Sequence, residues 1–295
     1  MTLHDSETGM PPADLLTAAQ DADALLVMAM DRIDAAFLRA LPDRVGIVAT
    51  LSVGHEHIDL AAARARGIAV LNTPDILSDA VAEHGMLLLL GAGRRAREGD
   101  LLLRSGSWAG WSPTQLLGRQ ASGARLGIFG MGRIGSALAR MARGFGMEIH
   151  YSNRTRLPDE LEEGATFHAD RDELLSVSDF LMLTAPATPE TRGFLDRRRI
   201  DLLPPGAVVC NIGRGELVVD DDLIAALRSG RVGAAGLDVF AGEPRINPGY
   251  LDLPNVFGQP HQGSSTVETR GRMCDLLLDG IEATLRGETV ANRLA

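Results

Sequence analysis

The chain contains no lysine: all 29 of its basic residues are arginine. That absence excludes Schiff-base chemistry, a lysine general base and the lysine of a Walker-type phosphate loop. Cysteine is almost missing as well. Cys210 and Cys274 are the only two, so neither a disulfide framework nor a cysteine-rich metal site can be built. Cys210 lies in the apolar run Ala207-Val-Val-Cys210 and reads as a small core residue. No run is long and apolar enough for a bilayer, because Met86 to Leu90 falls far short of the ~20 residues required. The first ten residues carry Asp5 and Glu7 and have no apolar stretch, so no secretory signal is expected there. Cations are outnumbered, 29 against 39 acids, for a formal net charge of −10. Such a chain has no excess of cations to displace counterions from nucleic acid or to dock on an anionic membrane. The expectation is a soluble, cytoplasmic protein with no nucleic-acid or membrane partner.

What is present is a 295-residue chain with 45% hydrophobic residues, long enough for two domains with separate cores. Short apolar runs of strand length alternate with segments of helical spacing, the pattern of parallel βα units. Ala24–Val27, Val45–Ala49 and Ile68–Leu71 read as strands, with helices at Asp34–Leu41 and Leu60–Arg66. Ile76 through Leu103 reads as one long helix or a broken pair, with Asp75 able to cap its start. Four glycines, Pro113 and both tryptophans interrupt the pattern between Ser105 and Gly123. A second series then follows, with strands at Leu126–Phe129, Glu148–Tyr151, Phe180–Leu183, Ala207–Cys210, Ala234–Leu237 and Val256–Phe257. Helices are expected at Arg133–Phe145, around Pro189–Leu203, at Asp220–Arg228 and at about Val267–Leu285.

Gly130-Met-Gly132-Arg-Ile-Gly135 follows an apolar strand and opens a helix. In that setting Gly130 makes the tight turn, Gly132 admits a pyrophosphate to the backbone, and Gly135 lets helix and strand approach. The helix start then offers free N–H groups and a positive dipole end to the phosphates. A glycine-rich turn is the plainer reading of such a motif standing alone, but strand before and helix after favour a dinucleotide. The residue ending the next strand selects between dinucleotides, and an NAD site carries an acid there to bind the ribose hydroxyls. Here the run is Tyr151-Ser-Asn153-Arg154-Thr155-Arg156, with Asn153 standing 23 residues past Gly130 and no acid before Asp159. Two guanidiniums and no carboxylate suit a 2′-phosphate, so NADP is the expected cofactor; a solvated basic loop is the alternative.

Arg214, Glu243 and His261 each follow a strand, in Asn211-Ile-Gly-Arg-Gly215, Leu237-Asp-Val-Phe-Ala-Gly-Glu-Pro244 and Gln259-Pro-His-Gln-Gly-Ser264. In open parallel sheets the functional crevice lies at the carboxyl ends of the strands, where these three loops can converge. Singly, each residue reads equally well as a cap, a surface acid or a satisfied histidine.

Taken together the motifs resemble the D-isomer-specific 2-hydroxyacid dehydrogenase family, and most of all its NADP-dependent glyoxylate/hydroxypyruvate reductase branch. The resemblance runs from about Ala22 to the C-terminus. It includes Ser52-Val-Gly-His-Glu-His-Ile-Asp59, Asn72-Thr-Pro-Asp75, Trp108-Ala-Gly-Trp-Ser-Pro113 and Ala185-Pro-Ala-Thr-Pro-Glu-Thr-Arg192 besides the segments above. By that resemblance Arg214 binds the substrate carboxylate and polarises its carbonyl, His261 is the general acid of reduction, and Glu243 pairs with His261. The resemblance further implies substrate contacts from the backbone of Val53 and Gly54. It places the pyrophosphate at Arg133 and Ile134 and the nicotinamide near Ala185, Ile212 and Asp238. Trp108 and Trp111 resemble an arm that packs across a two-fold homodimer, with an ordinary core role the alternative.

The fold so implied is α/β, with two doubly wound parallel-sheet domains. A Rossmann cofactor domain at 75–263 is inserted into a flavodoxin-like substrate domain made of 1–74 and 264–295, with the active site in the cleft between them. The activity implied is hydride transfer from NADPH to a small 2-oxo acid, giving the D-2-hydroxy acid. A dinucleotide-sensing binding protein of corepressor type, with little turnover, is the alternative on the same fold. Two features depart from the family. Glu56-His57 replaces its usual Asp-Asn. The first strand and helix of its substrate domain are also missing, so either the true start lies upstream or that sheet has an open edge. His55, Glu56 and His57 lack the spacing of a zinc motif and an evident third ligand, so no metal is expected.

Overall fold

A computed structural model of the chain describes residues 2–4 and 9–295; Asp5 and Glu7 lie outside the described residues. The chain divides into two compact units, Met1–Leu77 with Ser265–Ala295, and Ser78–Ser264.

In the first unit, β1 (Ala24–Val27), β2 (Ile47–Thr50) and β3 (Ala69–Leu71) form a parallel sheet in that order. α1 (Pro12–Ala18), α2 (Ala35–Ala40), α3 (Leu60–Ala65) and the long α11 (Val267–Leu285) surround it. Asp34 caps α2 by accepting from the backbone N–H of Ala36 and Phe37, and Asp59 caps α3 through Ala62. Both sheet faces are covered, which is why every residue of β2 and β3 is buried. Leu38, Ala63, Val48 and Val70 share one apolar cluster, while Leu277 of α11 joins Ile47, Ala49 and Leu71 in another. The chain's last residues run antiparallel along β3, with Leu294 donating to Val70 and Asn72 to Asn292. On the other side no strand among the described residues pairs outside β1.

The second unit holds seven parallel strands. These are β4 (Arg125–Phe129), β5 (Glu148–Ser152), β6 (Thr166–Phe167), β7 (Phe180–Leu183), β8 (Ala207–Asn211), β9 (Val232–Leu237) and β10 (Val256–Gly258). Their order is β10-β9-β8-β7-β4-β5-β6, so the chain winds outward from β4 to β6, returns to β7 and winds the other way. The reversal lies between β4 and β7, the place where open α/β sheets form a ligand crevice at their carboxyl ends. Alternation along β4 separates the layers. A Cβ on Gly127 would strike Ser178 and Leu174 beside α8 (Arg171–Val177), whereas neighbouring Ile128 meets Gly135 of α6 (Arg133–Gly144). α4 (Ser78–Gly93) packs beside α6, and α9 (Arg197–Ile200) and α10 (Asp220–Ser229) continue the α8 layer. Among the described residues no helix is long and apolar enough to cross a membrane.

The structure corrects several boundaries. Of the two readings of Ile76–Leu103 the broken pair holds, with Arg95 in the left-handed conformation (φ 55°) between α4 and α5 (Ala96–Arg104). Asp75 does not directly precede α4: it too is left-handed (φ 69°), and the helix begins only at Ser78. The stretch around Pro189–Leu203 contains only the four residues of α9, capped by Asp196. The two-residue β6, the four-residue α7 (Asp159–Glu162) and α8 were not foreseen. The first two are too short to display a period.

α4 lies so close to β9 that a Cβ on Gly236 would come within 2.6 Å of the Leu88 carbonyl oxygen. Backbone cannot move aside as a flexible side chain can. Gly236→Ala is therefore expected to cost about 1–3 kcal/mol and lower the melting temperature by several degrees; an unchanged melting curve would contradict this packing.

Candidate active site

The turn after β4 and the loop after β7 meet at the switch point. Gly130 has φ 101°, and a Cβ there would stand 2.6 Å from the Ala185 backbone nitrogen, so both conformation and space demand glycine. Gly135 is confined by the Gly130 carbonyl oxygen, 2.9 Å from where a Cβ would stand, which lets α6 start directly over β4. Gly132, the N-cap residue of α6, differs: a Cβ there meets nothing within 4 Å. Backbone with open space in front of it, at the start of a twelve-residue helix, is what a pyrophosphate requires. The first-turn N–H groups at Arg133 and Ile134 belong to that helix end.

At the end of β5, Asn153 donates through Nδ2 to the Met131 carbonyl at 3.0 Å, tying this strand end to the glycine loop. The two guanidiniums beyond it are not equivalent. Arg156 is clamped on Glu162, Nε to Oε1 at 2.8 Å and Nη2 to Oε2 at 2.8 Å. Tyr151 also donates to Glu162 through its hydroxyl. The Arg156 guanidinium and this hydroxyl hold the Glu162 carboxyl down at about 2. Arg154 and Thr155 are exposed; Glu190 is held below the usual carboxylate range chiefly by the Thr188 hydroxyl, with a smaller contribution from the Arg154 charge. The sequence pattern showed two cations in a row and could not show that one is already neutralised.

The catalytic candidates stand on loops held by close backbone contacts. Asn211 Oδ1 accepts from Gly213 N–H, and its Nδ2 donates to the Arg214 carbonyl at 2.8 Å. A Cβ on Gly213 would lie 2.7 Å from the Ala185 carbonyl oxygen, and one on Gly215 would lie 1.9 Å from the Phe240 carbonyl carbon. The Arg214 loop is thereby wedged between the ends of β7 and β9. Ala185 and Ile212 are buried beside it. Asp238, immediately after β9, is 2% exposed. Its Oδ1 accepts from Gln262 N–H at 2.7 Å and its Oδ2 from Gly263 N–H at 2.9 Å, while its carbonyl accepts from His261 N–H. These bonds set the turn in which His261 takes a left-handed conformation (φ 52°).

From that turn His261 Nδ1 reaches Glu243 Oε1 at 2.8 Å. The bond raises the imidazole's pKa above the usual histidine value; desolvation works against it, and the charges of Glu243 and Asp238 add to the rise. Arg214 is near enough to oppose it by like-charge repulsion. Guanidinium, carboxylate and imidazole therefore share one electrostatic neighbourhood. Sequence inspection missed His84, whose Nε2 bonds Asp238 Oδ1 at 3.0 Å. The signal was there: one imidazole inside the apolar helix Ser78–Gly93.

Val53 and Gly54 belong to the first unit, in the loop after β2. Asn72 Nδ2 donates to the Val53 carbonyl and Ser52 Oγ to the Gly54 carbonyl, while His57 Nε2 bonds Thr50 Oγ1. Trp108 and Trp111 are 53% and 81% exposed, which removes a core role. Among the described residues no three His, Cys, Asp or Glu side chains gather as a metal site.

Comparison with known proteins identifies the family. The family described as D-isomer specific 2-hydroxyacid dehydrogenase, NAD binding domain, matches residues 86–263. Glycerate dehydrogenase of Hyphomicrobium methylovorum is 44% identical over 99% of this chain and 91% of its own length. Glyoxylate reductase of Thermococcus onnurineus is 43% identical over 95% and 85%. Among solved structures, a D-isomer specific 2-hydroxyacid dehydrogenase from Polaromonas superposes with a TM-score of 0.95 at 54% identity, covering 98% of this chain and 91% of that one. The NADPH-dependent glyoxylate/hydroxypyruvate reductase of Sinorhizobium meliloti, solved with NADP and malonate, gives 0.86 at 33%, covering 97% and 88%. The chain belongs to the D-isomer-specific 2-hydroxyacid dehydrogenase family. Its relatives support reduction of a 2-oxo acid with a nicotinamide dinucleotide.

Removing the Glu243 charge while keeping its shape isolates the central bond. In Glu243→Gln the His261 imidazole is expected to titrate at lower pH, followed by NMR of the ring protons. An unmoved titration would show that Glu243 does not set its charge.

Proposed function

We propose that the protein is an NADPH-dependent reductase of glyoxylate or hydroxypyruvate, in any case of a small 2-oxo acid, yielding the D-2-hydroxy acid. The observation that carries this reading is the His261–Glu243 pair within electrostatic reach of Arg214. A site that only senses a dinucleotide has no need of a poised acid.

The residues fit a dinucleotide, with Gly130, Gly132 and Gly135, the α6 start at Arg133 and Ile134, and Asn153, Arg154 and Thr155 along its length. Ala185, Ile212 and Asp238 stand at its nicotinamide end. When bound, the cofactor supplies the hydride. Arg214 presents a permanently charged fork that binds the substrate carboxylate and polarises the adjacent carbonyl. His261 delivers its Nε2 proton to the oxygen as negative charge develops there, and Glu243 on Nδ1 fixes the ring's orientation and stabilises its charged form. The Val53–Gly54 loop, braced by Asn72 and Ser52, is suited to offering backbone N–H groups to a carboxylate.

Preference for NADPH rests on Arg154. Its guanidinium is exposed beyond a strand end that carries Asn153 in place of an acid, whereas Arg156 is committed to Glu162. The reductase from Sinorhizobium meliloti with the same overall fold is NADPH-dependent. We assign the exposed Trp108 and Trp111, with Leu101, Leu103 and Leu117 nearby in sequence and similarly exposed, to the interface of a homodimer.

A panel of 2-oxo acids with each nicotinamide cofactor, read by loss of reduced-cofactor absorbance, tests the activity. Glyoxylate or hydroxypyruvate is expected to be consumed with NADPH in preference to NADH; cofactor binding without consumption would overturn the reading. In Arg154→Ala, loss of a charge-assisted contact worth about 1.5–3 kcal/mol should raise the NADPH KM roughly tenfold or more and leave NADH nearly unchanged. Equal losses for both would remove the 2′-phosphate assignment.

A further inference from the structure

We propose that His84 is a positioning residue for the proton donor His261, acting across the fold from α4 through the Asp238 carboxylate. The proposal rests on the reading of His261 as the acid. Asp238 is the hub of the turn that presents His261. It receives the N–H groups of Gln262 and Gly263 on its two carboxylate oxygens and that of His261 on its carbonyl. Those bonds fix the carboxylate within the turn, and all of them come from the turn itself. His84 ties it to α4, because its Nε2 bonds Oδ1 at 3.0 Å. Since Oδ1 can only accept, Nε2 must carry the proton and donate.

The setting makes this bond hard to replace by water. The His84 side chain is 11% exposed and that of Asp238 only 3%. Gly263 seats the turn against the same helix, where a Cβ would lie 3.3 Å from both Asp238 Oδ2 and Val81 Cγ2. The helix therefore grips the turn twice, once by van der Waals contact at Val81 and once by the His84 hydrogen bond one helical turn later. Such a support for a functional group commonly matters nearly as much as the group it orients. His261 needs one, since a non-glycine residue at φ 52° is held by its surroundings and not by its own preference. Loosening the turn reduces the time that Nδ1 spends on Glu243, and the ring then titrates nearer to the ordinary value. The charged groups facing the imidazole are Glu243, Asp238 and Arg214, all retained in the test.

Two amide variants separate positioning from packing. His84→Gln places an amide nitrogen close to the position of Nε2, whereas His84→Asn places it too far back to reach Asp238. In His84→Asn, kcat/KM for the oxo acid is expected to fall about tenfold or more, with kcat taking most of the loss. The His261 ring, followed by NMR without cofactor or substrate, should titrate at lower pH than in the unmodified protein. His84→Gln should restore both. If His84→Asn does not fold, His84→Leu replaces it with the same expected outcome. A His261 titration unmoved in the variant that cannot reach Asp238, or equal impairment in both amides, overturns the proposal. The titration decides this even if no 2-oxo acid is turned over, a result that would count against the proposed activity alone.

Discussion

The proposed chemistry of this protein depends on one ionic hydrogen bond, the 2.8 Å contact of His261 Nδ1 with Glu243 Oε1. An imidazole alone is about half protonated near pH 6.5 and a poor proton source above it. Beside a carboxylate the charged form is favoured, which is what the proposed role of proton donor requires. Arg214 pulls in the opposite direction by like-charge repulsion. In the proposed reaction the substrate's carboxylate lies against that guanidinium.

The bond depends in turn on backbone approaches that only glycine allows. Gly213 and Gly215 let the Arg214 loop pass within contact distance of the Ala185 and Phe240 backbones. Gly130 does the same for the cofactor turn against Ala185. The ends of β4, β7, β8 and β9 are thereby drawn together, and side chains distant in sequence come to act on one another. Asp238 completes the arrangement by accepting the turn's N–H groups, so the position of His261 is set mainly by buried polar contacts and little by its own exposed surface.

Much of this was legible in the residues. Apolar runs of strand length located every strand but β6, and the strand–glycine–helix sequence at Gly130–Gly135 pointed to the proposed cofactor turn. Arg214, Glu243 and His261 could be singled out because each follows a strand, and family resemblance gave them roles that spacing could not. What stayed hidden was pairwise. No local pattern couples Arg156 to Glu162 and Tyr151, since that clamp depends on where a four-residue helix folds back. Nor does a lone histidine in an apolar helix reveal that its partner, 154 residues later, is a buried carboxylate. The position of the helix break, at Arg95, was equally hidden, because arginine is a good helix former and carries no local signal of a left-handed turn.

The cofactor end and the catalytic end thus differ in how they are held. Around Asn153 and Arg154 the surface is open and polar, and the proposed selectivity there rests on one exposed cation. Around His261 every backbone neighbour is constrained. The measurement that tests this account most directly is the pH dependence of kcat/KM for 2-oxo acid reduction by the unmodified protein. With His261 as the acid, the rate should be level on the acidic side and fall about tenfold per pH unit above a midpoint displaced upward from the ordinary histidine value. A rate that rises with pH, or stays constant across that range, would contradict it.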